Sequence, residues 1–303
     1  MHGAELNSLH IERAGAAERE EAIALALAHL SAEDRPRHAA AWADSIAASQ
    51  ADLWVGRRGG RLTAAMLAQI QPGRTANILP PHVVHGESCE AASAILTHCA
   101  GDLGRRGVRL AQALLETDHG DDMETLMAAG FRHAADLQFL VSVAGSFPTE
   151  TPQDDLQFVS YCDAEHKRLT TIIEQTYEGS LDCPQIDRVR DVGDVLAGYR
   201  AVGEFDPARW LVVRHGGNDV GCLLLADHPR SDAWELVYMG VVPAARGRGF
   251  GLALCRTAQW MTACAGRERL TAAVDAANAP AIAAYAAAGF VTWDARSVFL
   301  RVF

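Results

Sequence analysis

Between Val241 and Gly251 the chain reads VVPAARGRGFG, after an apolar strand-like run and ahead of a helix-like one. Glycines at Gly247, Gly249 and Gly251 tolerate positive φ and let backbone come close to a ligand. The first-turn N–H groups of the following helix have no intrahelical acceptor, and together with the helix dipole they favour an anion. Such a stretch is suited to holding a phosphate, and its plain alternative is a tight turn. Arg246 and Arg248 either add charge there or form a solvated face. Neither Lys-Ser nor Lys-Thr follows the glycines and the third glycine of GxGxxG is missing, which argues against a P-loop or a dinucleotide turn.

Other side chains of chemical interest flank this turn. Glu235 is a carboxylate in a strand otherwise reading W-LVYMGVV, where packing gives it little reason to be. Gly240 marks a bulge or a close approach in the same strand. Downstream, Tyr285 is the one large polar side chain of an Ala-rich helix, and Asn278 just before it is an N-cap type. Asp182 and Cys183 lie in a GSLDCP loop that could line a substrate pocket. The seven cysteines form no CxxC pair and are odd in number, which suits reduced thiols in the cytoplasm. Twelve histidines show no HxxxH or HExxH spacing, so no metal site is expected.

The elements that must position these residues can be read from period and punctuation. A chain of 303 residues with 49% apolar and 21% charged residues is globular and long enough for two domains. Its net charge of -11 argues against nucleic acid as a partner. No run of about 20 apolar residues suggests a membrane span, and MHGAELNSLHIERAG shows no secretory h-region. Near position 150, AGSFPTETPQDD reads as a linker, giving domains 1–147 and 148–303. Landmarks recur in order across it: LWVGR (53–57) against WLVVR (210–214), then AAGF (128–131) against AAGF (287–290). The order suggests duplication of one domain. The second half predicts strands at 156–161, 210–214, 220–226, 234–242, 270–274 and 297–303. Helices are expected at 164–177, about 189–202, 252–265 and 279–288. HGGND between the second and third strands signals a hairpin. Each domain is therefore α+β, with a mixed, mostly antiparallel sheet flanked by helices. The first half repeats this skeleton but has PPHVVHGESCE in place of PAARGRGFG.

The second half resembles the GCN5-related N-acetyltransferases. Their acyl-CoA loop, Q/R-x-x-G-x-G/A, is met by Arg246, Gly249 and Gly251, and VDAANAPAIAAYAAAGF (274–290) matches a downstream family segment. The first half resembles the same fold in degenerate form, a tandem arrangement similar to that of the mycothiol synthases. The resemblance implies acetyl-CoA as co-substrate, without metal, and transfer of its acetyl group to a primary amine of a small molecule or amino-acid-like acceptor. Arg246, Gly247, Arg248, Gly249, Phe250, Gly251 and Leu252 would bind the pyrophosphate. Met239, Gly240 and Val241 would pair with the pantetheine arm, one N–H facing the developing oxyanion. By the same resemblance Tyr285 is the acid for the leaving thiolate, Glu235 the base, and Asn278 a cap or a cofactor contact. Asp182 and Cys183 would line the acceptor pocket. A homodimer is compatible with this reading, as are a peptide N-acetyltransferase and a sensor that binds acyl-CoA without turnover. The first domain would then shape the acceptor cleft or a dimer surface, or serve stability alone.

Overall fold

A computed structural model describes residues 8–116, 120–152, 155–186 and 189–303. The first seven residues, read above for a leader, and Gln153 and Asp154 of the linker lie outside the described residues. The chain divides into two compact units, one of residues 1–134 with 297–303 and the other of residues 135–296.

The first unit runs β1 (His10–Arg13), α1 (Arg19–Ala26), α2 (Arg35–Ala47), β2 (Ala51–Arg58), β3 (Arg61–Gln71), β4 (Thr75–Val83), α3 (Cys89–Arg105), β5 (Leu110–Leu115) and α4 (Gly120–Ala128). Strands β1 to β4 pair antiparallel, and β4 meets β5 in parallel. One face of this sheet buries Trp54, Met66, Phe131 and Phe299 with Ile95 and Leu103 of α3. The other buries Leu53, Val55 and Leu67 against Ile23 and Leu27.

After β6 (Arg132–Val143), the second unit repeats the order: β7 (Gln157–Ser160), α5 (His166–Tyr177), α6 (Val192–Arg200), β8 (Trp210–His215), β9 (Asn218–His228), β10 (Ala233–Val241), α7 (Phe250–Cys264), β11 (Arg269–Asp275), α8 (Ala279–Ala287) and β12 (Val291–Val302). Strands β7 to β10 are antiparallel, and β10 and β11 are parallel. Leu223, Leu225, Trp234 and Leu236 face Leu254 and Ala258 of α7 on one side of this sheet. On the other side, Trp210, Val212 and Leu224 pack on Leu169, Ile172 and Ile173 of α5. Each unit is thus a mixed, mostly antiparallel sheet between helices, as the patterning predicts. Among the described residues no helix is long and apolar enough to cross a membrane.

Two sequence landmarks have a physical cause in this fold. In AAGF the glycine takes positive φ, 86° at Gly130 and 82° at Gly289. The next residue's N–H reaches back to the helix, Phe131 to the Leu126 carbonyl and Phe290 to the Tyr285 carbonyl. Each tetrapeptide is a helix stop whose phenylalanine is buried. Gly216 and Gly217, at φ 56° and 83°, turn β8 into β9 as the HGGND signal requires.

The strand assignments differ from the sequence order in one respect. Strand β6, which the sequence reading does not anticipate, runs out of the first unit and pairs Leu137–Asp275 through Val143–Arg269 with β11. Conversely, the C-terminal half of β12 pairs Ser297 to Val302 with β5 of the first unit. Each unit therefore closes its sheet with a strand that a division at 147/148 gives to the other.

Candidate active site

Parallel strands β10 and β11 pair only at Ala233–Arg269, Trp234–Leu270 and Glu235–Thr271. Beyond Glu235 they part, and the gap opens into a cavity of about 700 Å³ lined by Leu236–Val241 and by Ala273 and Val274. Two causes act on β10 at this point. An extra residue at Val237 bulges the strand between Leu236 and Tyr238. Gly240, whose missing Cβ would stand 2.6 Å from Thr176 Cβ, lets α5 press on the strand from the opposite side. Val242 N–H donates across to the Val220 carbonyl. Alternation along the strand therefore turns the Met239 and Val241 N–H groups into the gap, available to a ligand chain.

The glycine loop forms the mouth of the same cavity, to which Arg246, Gly247, Gly249, Phe250, Gly251 and Leu252 contribute. Gly247 and Gly249 sit at φ 76° and 81°, Gly249 as the residue ahead of α7. Ala253 is the first residue to donate within this helix, to the Gly249 carbonyl, so the Phe250, Gly251 and Leu252 N–H groups are unspent. The arginines behave differently from the sequence expectation. Arg246 donates its Nε to the Val241 carbonyl and its two terminal nitrogens to the Gly179 and Thr176 carbonyls at 3.0 and 2.9 Å. Its guanidinium ties the end of α5 to β10 instead of reaching for an anion. Arg248, outside the cavity wall, lies over the Phe250 ring at 4.8 Å and against His215.

Tyr285 projects from α8 into the cavity wall beside Asn278, Ala281 and Ala284. Burial pushes its hydroxyl well above the ordinary phenol range, with neighbouring Cys255 and Asp182 adding to the shift. It stays protonated at neutral pH. The Asn278 side chain caps α8 by accepting the Ala281 N–H at 3.3 Å. Asp182 also lines the cavity, and its carboxylate accepts the Asp275 N–H at 3.0 Å, while Asp275 accepts the Cys183 N–H at 3.1 Å. Cys183 itself is outside the wall, and burial holds its thiol up at about 12, which removes it as a nucleophile.

Glu235 lies where the strands are still paired, outside the cavity wall. Its carboxylate is 2.9 Å from His228 Nε2 and half-open to solvent. Three neighbours in the site go unnoticed in the sequence. Thr176 bonds the Tyr238 hydroxyl at 2.8 Å, and Tyr238 stacks on Tyr199 at 5.4 Å. His228 is the third. Only its place at the end of β9, one hairpin from Glu235, hints at a partner. Among the described residues, no group of three or more His, Cys, Asp or Glu could hold a metal ion.

Residues 173–290, which hold the splayed parallel pair and the glycine-opened helix, match the profile of the Acetyltransferase (GNAT) family. Over these residues the chain is similar to the GNAT family. Within the chain, a 92-residue stretch is 38% identical to a mycothiol acetyltransferase of Streptomyces bingchenggensis. That stretch is 30% of this chain and spans 29% of the Streptomyces protein. Among solved structures, a GCN5-related N-acetyltransferase from Sphaerobacter thermophilus superposes with a TM-score of 0.63 at 14% identity, covering 97% of this chain and 95% of that one. A tandem GNAT protein from the clavulanic acid biosynthesis pathway superposes at 0.53 and 15% identity, over 97% and 98% of the two chains. These two likenesses show the fold. The GNAT segment spans the end of α5 through α8, so the splayed strands, the glycine loop and Tyr285 all fall inside it.

Proposed function

We propose that the second unit is an acetyl-CoA-dependent N-acetyltransferase that acts on a primary amine of a small molecule or amino-acid-like acceptor. The observation that carries this is the parting of β10 from β11 after Glu235, next to the helix opened by Gly247 and Gly249. In this reading the free N–H groups of the loop and of the first turn of α7 hold the pyrophosphate. Met239 and Val241 N–H groups pair with the pantetheine arm, and one of them faces the oxygen that gains charge as the amine attacks the thioester carbon. Tyr285 gives its proton to the sulfur that leaves. Glu235, held by His228 at the solvent side of the strand, receives the proton lost by the amine through water.

The first unit lacks these provisions. Its parallel strands β4 and β5 also part after three pairs, Thr75–Leu110 to Asn77–Gln112. At the following bulge, however, β4 carries Pro80 and Pro81, which have no N–H to offer a ligand chain. Its α3 is preceded by Ser88 in place of a glycine turn. Calorimetric titration should therefore give one acetyl-CoA per chain, with free-thiol release on adding amines. Two equal acetyl-CoA sites would overturn the assignment of a degenerate first unit, and tight binding with no thiol release across amines, amino acids, aminoglycosides and peptides would overturn the enzyme.

A further inference from the structure

We infer that Asp182 is the seat of the acceptor's ammonium group and that it restricts acceptors to amines without a free carboxylate beside the reacting nitrogen. This rests on the acetyltransferase reading above and adds the acceptor class to it. Among the described lining residues of the cavity Asp182 is the one carboxylate, and it shares the wall with Tyr285 and with the parted strand. Its position is fixed by two bonds. The Ser180 hydroxyl accepts the Asp182 N–H at 3.1 Å, and the Asp275 N–H holds one carboxylate oxygen. The other oxygen is left to a ligand.

The charge balance of the wall sets the selectivity. Partial desolvation, opposed by the Asp275 N–H bond and aided by the Asp275 carboxylate, holds Asp182 above the ordinary carboxylate range, so its ionised form gains from a cation brought next to it. Its charge is felt at both the Tyr238 and Tyr285 hydroxyls, which places it within electrostatic reach of the acid and of the parted strand. Among the described lining residues no cation is free to balance a second carboxylate there. Arg246, the one guanidinium in the wall, donates to three backbone carbonyls. Arg190, toward α6, donates to the Asp194 carbonyl and is not a wall residue. A free amino acid would set its own carboxylate against Asp182, and its amide or a plain alkylamine would not.

Steady-state kinetics at saturating acetyl-CoA with L-leucinamide, 1,4-diaminobutane and free L-leucine test this. Wild type should favour the amide over the free amino acid by about 10²-fold in kcat/KM. Asp182→Asn should raise KM for leucinamide and diaminobutane by about 10²-fold with kcat changed much less, and should collapse the amide preference. Asp182→Glu should recover part of the loss. A wild type that uses leucine as well as leucinamide, or uses none of the three, overturns the inference, as does an Asp182→Asn enzyme with unchanged KM. Acetyl-CoA binding by calorimetry separates the two claims: binding intact with no amide preference refutes this inference alone, and loss of binding in wild type refutes the underlying reading.

Discussion

Replacing Tyr285 by Phe isolates one oxygen. The ring keeps its edge contact with Phe290, whose centroid lies 5.2 Å away at 70°, and no hydrogen bond ties the hydroxyl to another described residue. Folding stability should therefore move by less than about 0.5 kcal/mol, because neither packing nor a buried partner is lost. Catalysis should not be spared. A phenol kept protonated by burial is a competent donor to the departing sulfur, and loss of a general acid costs about 10²-fold or more in kcat, about 2.7 kcal/mol of barrier. Since the hydroxyl titrates well above its ordinary value of about 10, the ratio of wild-type to variant rate should stay level from about pH 7 to 9.5. Thiol release with a chromogenic reagent at saturating amine and acetyl-CoA measures kcat, calorimetry the acetyl-CoA affinity, and thermal unfolding the stability. A kcat within about threefold of wild type would remove Tyr285 from the mechanism. So would a ratio that closes as pH rises within this range.

Two further perturbations test the frame around the site. Gly240→Ala puts a methyl 2.6 Å from Thr176 Cβ and 2.7 Å from its hydroxyl. Overpacking of that size costs about 1–3 kcal/mol, or a melting temperature lower by about 3–10 °C. Because the nearest atom is Cβ itself, Thr176→Ser should not restore stability and Thr176→Gly should in part; an unchanged melting temperature for Gly240→Ala would refute the close approach. Asp227 is held below the usual carboxylate range chiefly by its paired hydrogen bonds to Arg267. With the folded value below the unfolded one of about 3.9, this stabilisation is complete above the unfolded value and is lost as pH falls through the folded one. Urea unfolding should accordingly find Asp227→Asn destabilised at pH 7 with the gap to wild type narrowing as pH falls below the unfolded value, and a gap that does not narrow in acid would contradict the pairing.

Much of the site could be read from residue types because glycines, prolines and helix caps act locally. Gly247, Gly249 and Asn278 do in the fold what their sequence neighbours require. What escaped reading depends on contacts made at long range or on a break in period. Strict alternation from Trp234 would send Tyr238 toward α7, and the bulge at Val237 turns it to α5, where it meets Thr176. Arg246 looked like an anion ligand because the carbonyls that occupy it lie about 70 residues earlier in the chain. Strand β6 was hidden for a related reason: its stretch RHAADLQFLVSV mixes charged and apolar residues without a clean period, and its partner Arg269–Asp275 comes far later.

The exchange of closing strands bears on how the protein is made. While the chain emerges from a ribosome, the edge of β5 stands open until Ser297–Val302 have been synthesised, although every other strand of the first unit was complete by residue 115. The strand that follows α4 does not fill it, because β6 is committed to a partner not yet translated. Neither sheet closes in the order of synthesis: the first waits for Ser297–Val302, and β6 waits for Arg269–Asp275. A cut at 147/148 would part β6 from β11 and β5 from β12 at one stroke.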